Sequence, residues 1–204
     1  MEDTTLTTYL VRLFATDVNH PPKHVYVFSH QSTEDLYHRM FKSLQGDLSL
    51  NLYILDSTPG LSGYAGYSIT CDLARSYGFT NFHSIPYEHL DMVNTFTEAN
   101  AVVKYFQQHD IQIYHICSPA FHLPRAFHSM VSNQLTTLGC RSTIYVITGT
   151  IRDWQQPITH SQGILKDSVS NMIHHEHVRI NNYMKKGDLV PLSACITYMN
   201  TYWS

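Results

Sequence analysis

Short apolar runs alternate with capped helical stretches along most of this chain, and no other feature limits its fold as much. Val25-Tyr26-Val27-Phe28, Leu52 to Leu55, Ile111 to Cys117 and Thr143 to Ile147 are rich in β-branched and aromatic residues and read as buried strands. Phe82 to Ile85 reads as a short edge strand. Between them lie helical patterns. Ser32 is placed to cap one, with Glu34 and Asp35 in its first turn and Leu36, Met40, Phe41 and Leu44 at helical spacing up to Gly46. Tyr67 to Tyr77 forms a second that stops at Gly78. Thr95-Phe96-Thr97-Glu98 fits a capping box ahead of the stripe Ala99, Val102, Val103, Phe106. Pro124 suits a first helical turn, and Ala126, Phe127, Met130, Val131 and Leu135 carry that helix to Gly139. Strands that alternate with helices imply a parallel sheet covered on both faces. With right-handed crossovers the expectation is an α/β, Rossmann-like three-layer sandwich with a mostly parallel sheet.

Residues 20–153 form that core, and 154–204 read as a mostly helical extension packed on it, within a single domain of residues 1–204. In the extension, Ile164 to Met184 carries apolar residues at mixed helical spacing and ends at Gly187, and a last helix follows Pro191. Leu6 to Ala15 reads as a short N-terminal helix broken by Pro21-Pro22. No internal repeat or linker is evident.

Composition removes several function classes. The net charge is −3 with histidine neutral, and Lys185-Lys186 is the densest basic spot. A nucleic-acid backbone needs clustered cations to displace its counterions, so no nucleic-acid partner is expected. No apolar run approaches the ~20 residues that a membrane helix needs. Cys71, Cys117, Cys140 and Cys195 form no C-x-x-C pair, and Met1-Glu2-Asp3 lacks the basic-then-apolar order of a secretion signal. The expectation is reduced, unpaired thiols in a cytoplasmic protein. The 14 histidines invite a metal reading. His174 and His177 share a helix face at i, i+3 but lack the i, i+4 geometry of zinc proteases, so this stretch reads as a solvated face on which Glu176 pairs with Arg179, and no metal is assigned. Cys117 is a small buried residue in this reading, because no partner histidine is fixed that would make it a nucleophile.

In an open α/β sheet, ligands sit beyond the carboxyl ends of the strands. That rule selects Ser29-His30-Gln31-Ser32, Asp56 to Gly66, Ser118 to Pro124 and Thr148-Gly149-Thr150. Helix N-termini follow the first three, so backbone N–H groups would face an anion. Hydroxyls and glycines are also common in loops for conformational reasons alone. Ser29, His30, Ser32, Ser118 and Thr148 are the candidate ligand-binding residues, with His160 a further candidate from the extension. His122 and Arg125 straddle a helix start and can face one ligand: histidine exchanges a proton near neutral pH, and arginine offers a planar fork for phosphate or carboxylate. The bland alternative leaves His122 as a loop cap and Arg125 in solvent. Glu98 is explained structurally by the capping pattern, and a functional role can coexist with it because that helix runs antiparallel to the strands and starts at their carboxyl edge. Glu98, His122 and Arg125 are therefore the candidate catalytic residues, expected to line one cavity, with Arg125 at its rim.

Asn94-Thr95-Phe96-Thr97-Glu98-Ala99, followed by a strand and Cys117-Ser118-Pro119-Ala120-Phe121-His122-Leu123-Pro124-Arg125-Ala126-Phe127, resembles the SanA/YdcF/ElyC family, a group defined by a domain of unknown function. The shared pattern is a T-E-A segment opening a helix, then strand, S/T-x-x-F/Y-H-x-x-R-A. The resemblance covers residues 24 to 190, and its specific part is the central stretch from Asn94 to Phe127. It implies a Rossmann-like sandwich, with Glu98, His122 and Arg125 in the family's pocket and Ser118 at its floor. The chain departs from the family after its first strand, where Ser29-His30-Gln31-Ser32 replaces a glycine-rich turn, so no cofactor is carried over.

Three functions follow as expectations. One is an enzyme acting on a phosphorylated or nucleotide-like small molecule. Another is a non-catalytic binder of a nucleotide-type ligand such as S-adenosylmethionine. The third is an interaction scaffold that has lost its ligand.

Overall fold

A computed structural model of the chain describes residues 2–15, 20–29, 34–88, 92–138, 142–149, 154–160 and 165–203. Five strands form one sheet: β1 (His24–Val27), β2 (Asn51–Asp56), β3 (Phe82–Pro86), β4 (Ile113–Pro119) and β5 (Thr143–Gly149). Their order is β3-β2-β1-β4-β5, and every neighbouring pair is parallel. The fold is the α/β, Rossmann-like three-layer sandwich that the alternation implies.

Strand periodicity builds the two covering layers. On one face Val25, Val27 and Leu52 pack against Tyr37, Met40, Phe41 and Leu44 of α2 (Glu34–Leu44) and Ala74 of α3 (Gly66–Ser76). On the other, Tyr26, Phe28, Tyr53, Tyr114, Ile116 and Ile144 meet Ala99, Val102, Val103 and Phe106 of α4 (Thr95–Gln108) and Leu123, Phe127, Met130 and Val131 of α5 (Leu123–Asn133). Successive side chains of a strand point to opposite faces, so each run feeds both layers. Chain order moves from β1 through β2 to β3 and then returns beside β1 as β4. The direction of winding reverses between β1 and β4, the topological switch point where such sheets open a crevice.

The extension differs from the sequence reading at its start. The helix expected from Ile164 begins at Val169, because Leu165–Ser168 (β7) pairs antiparallel with Pro157–His160 (β6) instead. Then come α6 (Val169–Lys186), closed by Gly187 at φ 81°, and α7 (Leu192–Tyr202). The N-terminal helix α1 (Glu2–Ala15) lies against α7 and buries Tyr9 and Leu13. As a result α5 is covered on all sides. It contacts β4, β5, α4, α6 and α7, and each of its residues from Leu123 to Asn133 is buried. α6 and α7 cover the face of α5 that is turned away from the sheet.

Cys71, Cys117 and Cys195 are buried free thiols, and Cys140 falls outside the described residues. Among the described residues no helix is long and apolar enough to cross a membrane.

Candidate functional site

Glu98 stands in the first turn of α4, at the carboxyl end of β1, with no exposed surface (0 %). It does not close a capping box with Thr95, as the sequence pattern suggested. Asn94 is the cap: its Oδ1 accepts from the N–H groups of Phe96 and Thr97, both at 3.0 Å, while Thr97 Oγ1 accepts from Asn94 N at 3.3 Å. The box therefore lies one residue earlier than Thr95–Glu98, and the Glu98 carboxylate is released for other contacts. Its Oε1 accepts from the Tyr26 hydroxyl at 2.5 Å and from Ser29 N–H at 2.7 Å. Its Oε2 is buried and has no hydrogen-bond partner among the described residues. Burial pushes the carboxyl up to about 7, against the pull of the Tyr26 and Ser29 bonds and the Arg125 charge. The tyrosine hydroxyl is in turn held well above its ordinary value by burial and by the adjacent carboxylate.

The second half of the site is built around another glutamate. Glu176 of α6 is 1 % exposed. Its Oε2 lies 2.9 Å from His122 Nδ1 and accepts from Arg125 Nε at 2.5 Å; its Oε1 accepts from Arg125 Nη2 at 3.3 Å and Arg179 Nη1 at 3.0 Å. Arg125 Nη1 donates to Thr95 Oγ1 at 2.6 Å. Arg125 was expected at a rim; it is 7 % exposed and its whole fork is engaged inside the protein, because α6 brings Glu176 over α5. Burial pulls the guanidinium down, but the neighbouring carboxylate outweighs this and holds it above its ordinary value. The solvated face assigned to Glu176 and Arg179 is likewise corrected: the pair forms, with its carboxylate inside.

The two halves meet. Thr95, which binds Arg125, is one turn before Glu98 on α4. The Phe28 ring, which ends the β1 run, stands edge-on to His122 with centroids 6.0 Å apart. Tyr64 is near enough to both Glu98 and Arg125 to feel each: burial and then the carboxylate push its phenol up, and the guanidinium pulls it down. A turn delivers Tyr64 here. Gly66 opens α3 at φ 80°, where a Cβ would approach the Ser57 carbonyl oxygen to 3.1 Å, so the segment closes this tightly only with glycine. The Ser62 hydroxyl, accepting from Val93 N at 2.9 Å, fastens the same turn to the approach to α4.

Of the other candidates, Ser29 acts on Glu98 through its backbone N–H and its side chain. Ser118 is buried at the end of β4 and lies in register with Thr148 on β5, so both mark the carboxyl edge. His30 and Ser32 lie outside the described residues. His160 ends β6, and its side chain is outside them too. Sequence reasoning missed Glu176, Tyr26, Thr95 and Tyr64. A signal for the first was available: Val169, Met172, Glu176 and Ile180 are the buried face of α6, so Glu176 interrupts an apolar stripe. A separate cleft of about 590 Å³ opens between the end of β3 and the outer face of α4, lined by Tyr87, Thr97, Lys104 and Tyr105 among others, and includes none of Glu98, His122 and Arg125.

This arrangement provides a buried carboxyl raised to about 7 that feels the Arg125 charge, and an imidazole 2.9 Å from a second carboxylate that also binds Arg125, both at the carboxyl edge of the sheet. No family model, no curated protein and no solved structure matches the chain.

Proposed function

We propose that the crevice between β1 and β4 is the site of an enzyme that moves protons on a small, phosphorylated or nucleotide-like molecule. Glu98 is its exchanging acid–base, and His122 is the second proton-transfer group. The observation that carries this reading is Glu98: one oxygen accepts from Tyr26 and Ser29, the other has no hydrogen-bond partner among the described residues, and burial raises the carboxyl to about 7. A general acid–base works best when its pKa lies near the working pH. Leaving a buried carboxylate oxygen without a donor is costly, and a ligand group supplies the missing bond. Arg125 is not the anion clamp here, since Glu176 and Thr95 occupy it; Ser118 and Thr148, at the carboxyl ends of β4 and β5, are the groups assigned to the anionic part of the ligand. Kinship with the SanA/YdcF/ElyC family is part of the proposal and rests on the motif residues Glu98, His122 and Arg125.

The reading is tested by thermal shift against nucleotides, S-adenosylmethionine, sugar phosphates and divalent metals, followed by turnover of whatever binds. A ligand at a hundred times its dissociation constant stabilises the native state by about 2.7 kcal/mol. The Glu98→Gln variant is expected to keep binding and to lose turnover by about a hundredfold or more. Equal turnover in the variant sinks the role of Glu98. Binding without turnover in either protein selects the second reading, a non-catalytic binder of a nucleotide-type ligand, which the location at the switch point also favours.

A further inference from the structure

The position of Glu176 has a consequence for the proton on His122. A carboxylate only accepts hydrogen bonds. Glu176 is a carboxylate here: it sits against the guanidinium groups of Arg125 and Arg179, with three of their nitrogens within 3.3 Å. An imidazole nitrogen 2.9 Å from its Oε2 must carry a hydrogen, or two lone pairs would face each other. Among the described residues one competing arrangement exists. Arg125 Nη2 also lies 3.3 Å from His122 Nδ1 and could donate to it if that nitrogen were bare. The shorter, charge-assisted contact wins, since a bare Nδ1 would be repelled by Oε2 at 2.9 Å.

We propose that Glu176 is a positioning residue. It locks neutral His122 into the tautomer with its hydrogen on Nδ1, so that Nε2 keeps the lone pair. The second ring nitrogen of a histidine is commonly set by the bond its first one makes. The ring has little freedom to evade this choice. His122 is buried, Phe28 stands edge-on to it, and Phe121 lies 6.4 Å away centroid to centroid. The controlling residue is delivered by α6, so the extension beyond β5 completes the site instead of merely covering it. The use of Nε2 as a proton acceptor rests on the acid–base reading above; the tautomer does not, and it can be read without any ligand.

The experiment is long-range proton–nitrogen NMR of the imidazole rings in the full ¹⁵N-labelled chain, with the His122 signals identified by their disappearance in His122→Gln. The wild type is expected to show one pattern at neutral pH, a protonated Nδ1 and a bare Nε2. Glu176→Gln should lose that single pattern, giving the opposite tautomer or an exchange-averaged mixture. Glu176→Asp should lie between the two, because its carboxylate is drawn back by one methylene. A wild-type spectrum with the hydrogen on Nε2 overturns the proposal, and so does an unchanged His122 pattern in a folded Glu176→Gln protein. If the glutamine variant does not fold, the aspartate variant decides by the same criterion: a second tautomer supports the lock, and an unchanged pattern refutes it. Failure of every small molecule to bind would sink the functional reading and leave these spectra as they are.

Discussion

Two glutamates are buried at this site, and they have opposite surroundings. Glu176 meets two arginines and a histidine, and both its oxygens are occupied. Glu98 accepts from a tyrosine hydroxyl and a backbone N–H on one oxygen, and its other oxygen has no hydrogen-bond partner among the described residues. The same side chain, equally removed from water, is thus fixed as an anion in one place and left close to its protonation midpoint in the other. Burial disfavours the charged form in both; what differs is the counter-charge within reach. Glu176 organises the site, and Glu98 is the group able to change its charge while the fold stays intact.

The largest effect should come from breaking the compensated side. Arg125→Ala removes the guanidinium that grips Glu176 with two nitrogens and also binds Thr95, and leaves Arg179 and His122 against the carboxylate. Stripping one partner from a buried ion pair costs about 3–5 kcal/mol. Urea unfolding of the variant should show a loss in that range, or the chain should fail to fold. A loss no greater than that of an ordinary surface substitution would mean that Arg125 is not the buried partner described here.

A somewhat smaller effect, and of opposite sign, is expected at Glu98. Its folded pKa of about 7 lies above the ordinary 4.5. Between these values the folded state keeps a proton that the unfolded chain releases. Stability from this group therefore falls as pH rises through that window, and above pH 7 the penalty is constant. Its full size is on the order of 3 kcal/mol. Glutamine can accept from Tyr26 and Ser29 with its carbonyl and carries no charge. Glu98→Gln should thus be more stable than the wild type at pH 8, with the advantage shrinking toward zero near pH 4.5. Comparing the two proteins isolates this group from His115 and His128, which burial lowers to about 4 and which act in the other direction, losing stability as pH falls from 6.5. An advantage that does not change with pH would remove Glu98 from the titration.

The sheet could be read from the sequence because its signals are local. Five apolar runs, each short and bounded by turn residues, predict their own burial, and parallel order follows from the helices between them. The place of the site could be read for the same reason, since the end of a strand and the start of a helix are features of chain order. Its internal bonding could not. The partner of Arg125 lies 51 residues away on a helix of the extension, and nothing in the spacing of His122 and Arg125 points to it. The rim expected for Arg125 rested on its place at a helix start on the carboxyl edge of the sheet, and that edge is covered here because α5 is wrapped by α4, α6 and α7 together with the sheet. At Glu98 the error was one residue of register. Thr95 and Glu98 match the usual capping-box residues better than Asn94 and Thr97 do, but asparagine is at least as good a cap as threonine, and the local pattern does not show which of the two adjacent positions starts the helix.

That register makes the smallest prediction and the sharpest check on what separates the two glutamates. If Asn94 is the cap, Asn94→Ala removes the acceptor for the N–H groups of Phe96 and Thr97 and should cost about 1 kcal/mol. The loss should be nearly independent of pH, since no ionisable group takes part in the box, and the titration of Glu98 should stay where it is. If the Glu98 carboxylate were the capping group, the pattern would invert: Asn94→Ala would be close to neutral, and Glu98→Gln would destabilise the chain at alkaline pH, where an ionised cap interacts best with a helix N-terminus. Urea unfolding of both variants at pH 5 and pH 8 separates the cases. A cost at Asn94 together with a gain at Glu98 means that the helix is closed by its own neighbour, and that the carboxylate one turn further on is held at the switch point for another purpose.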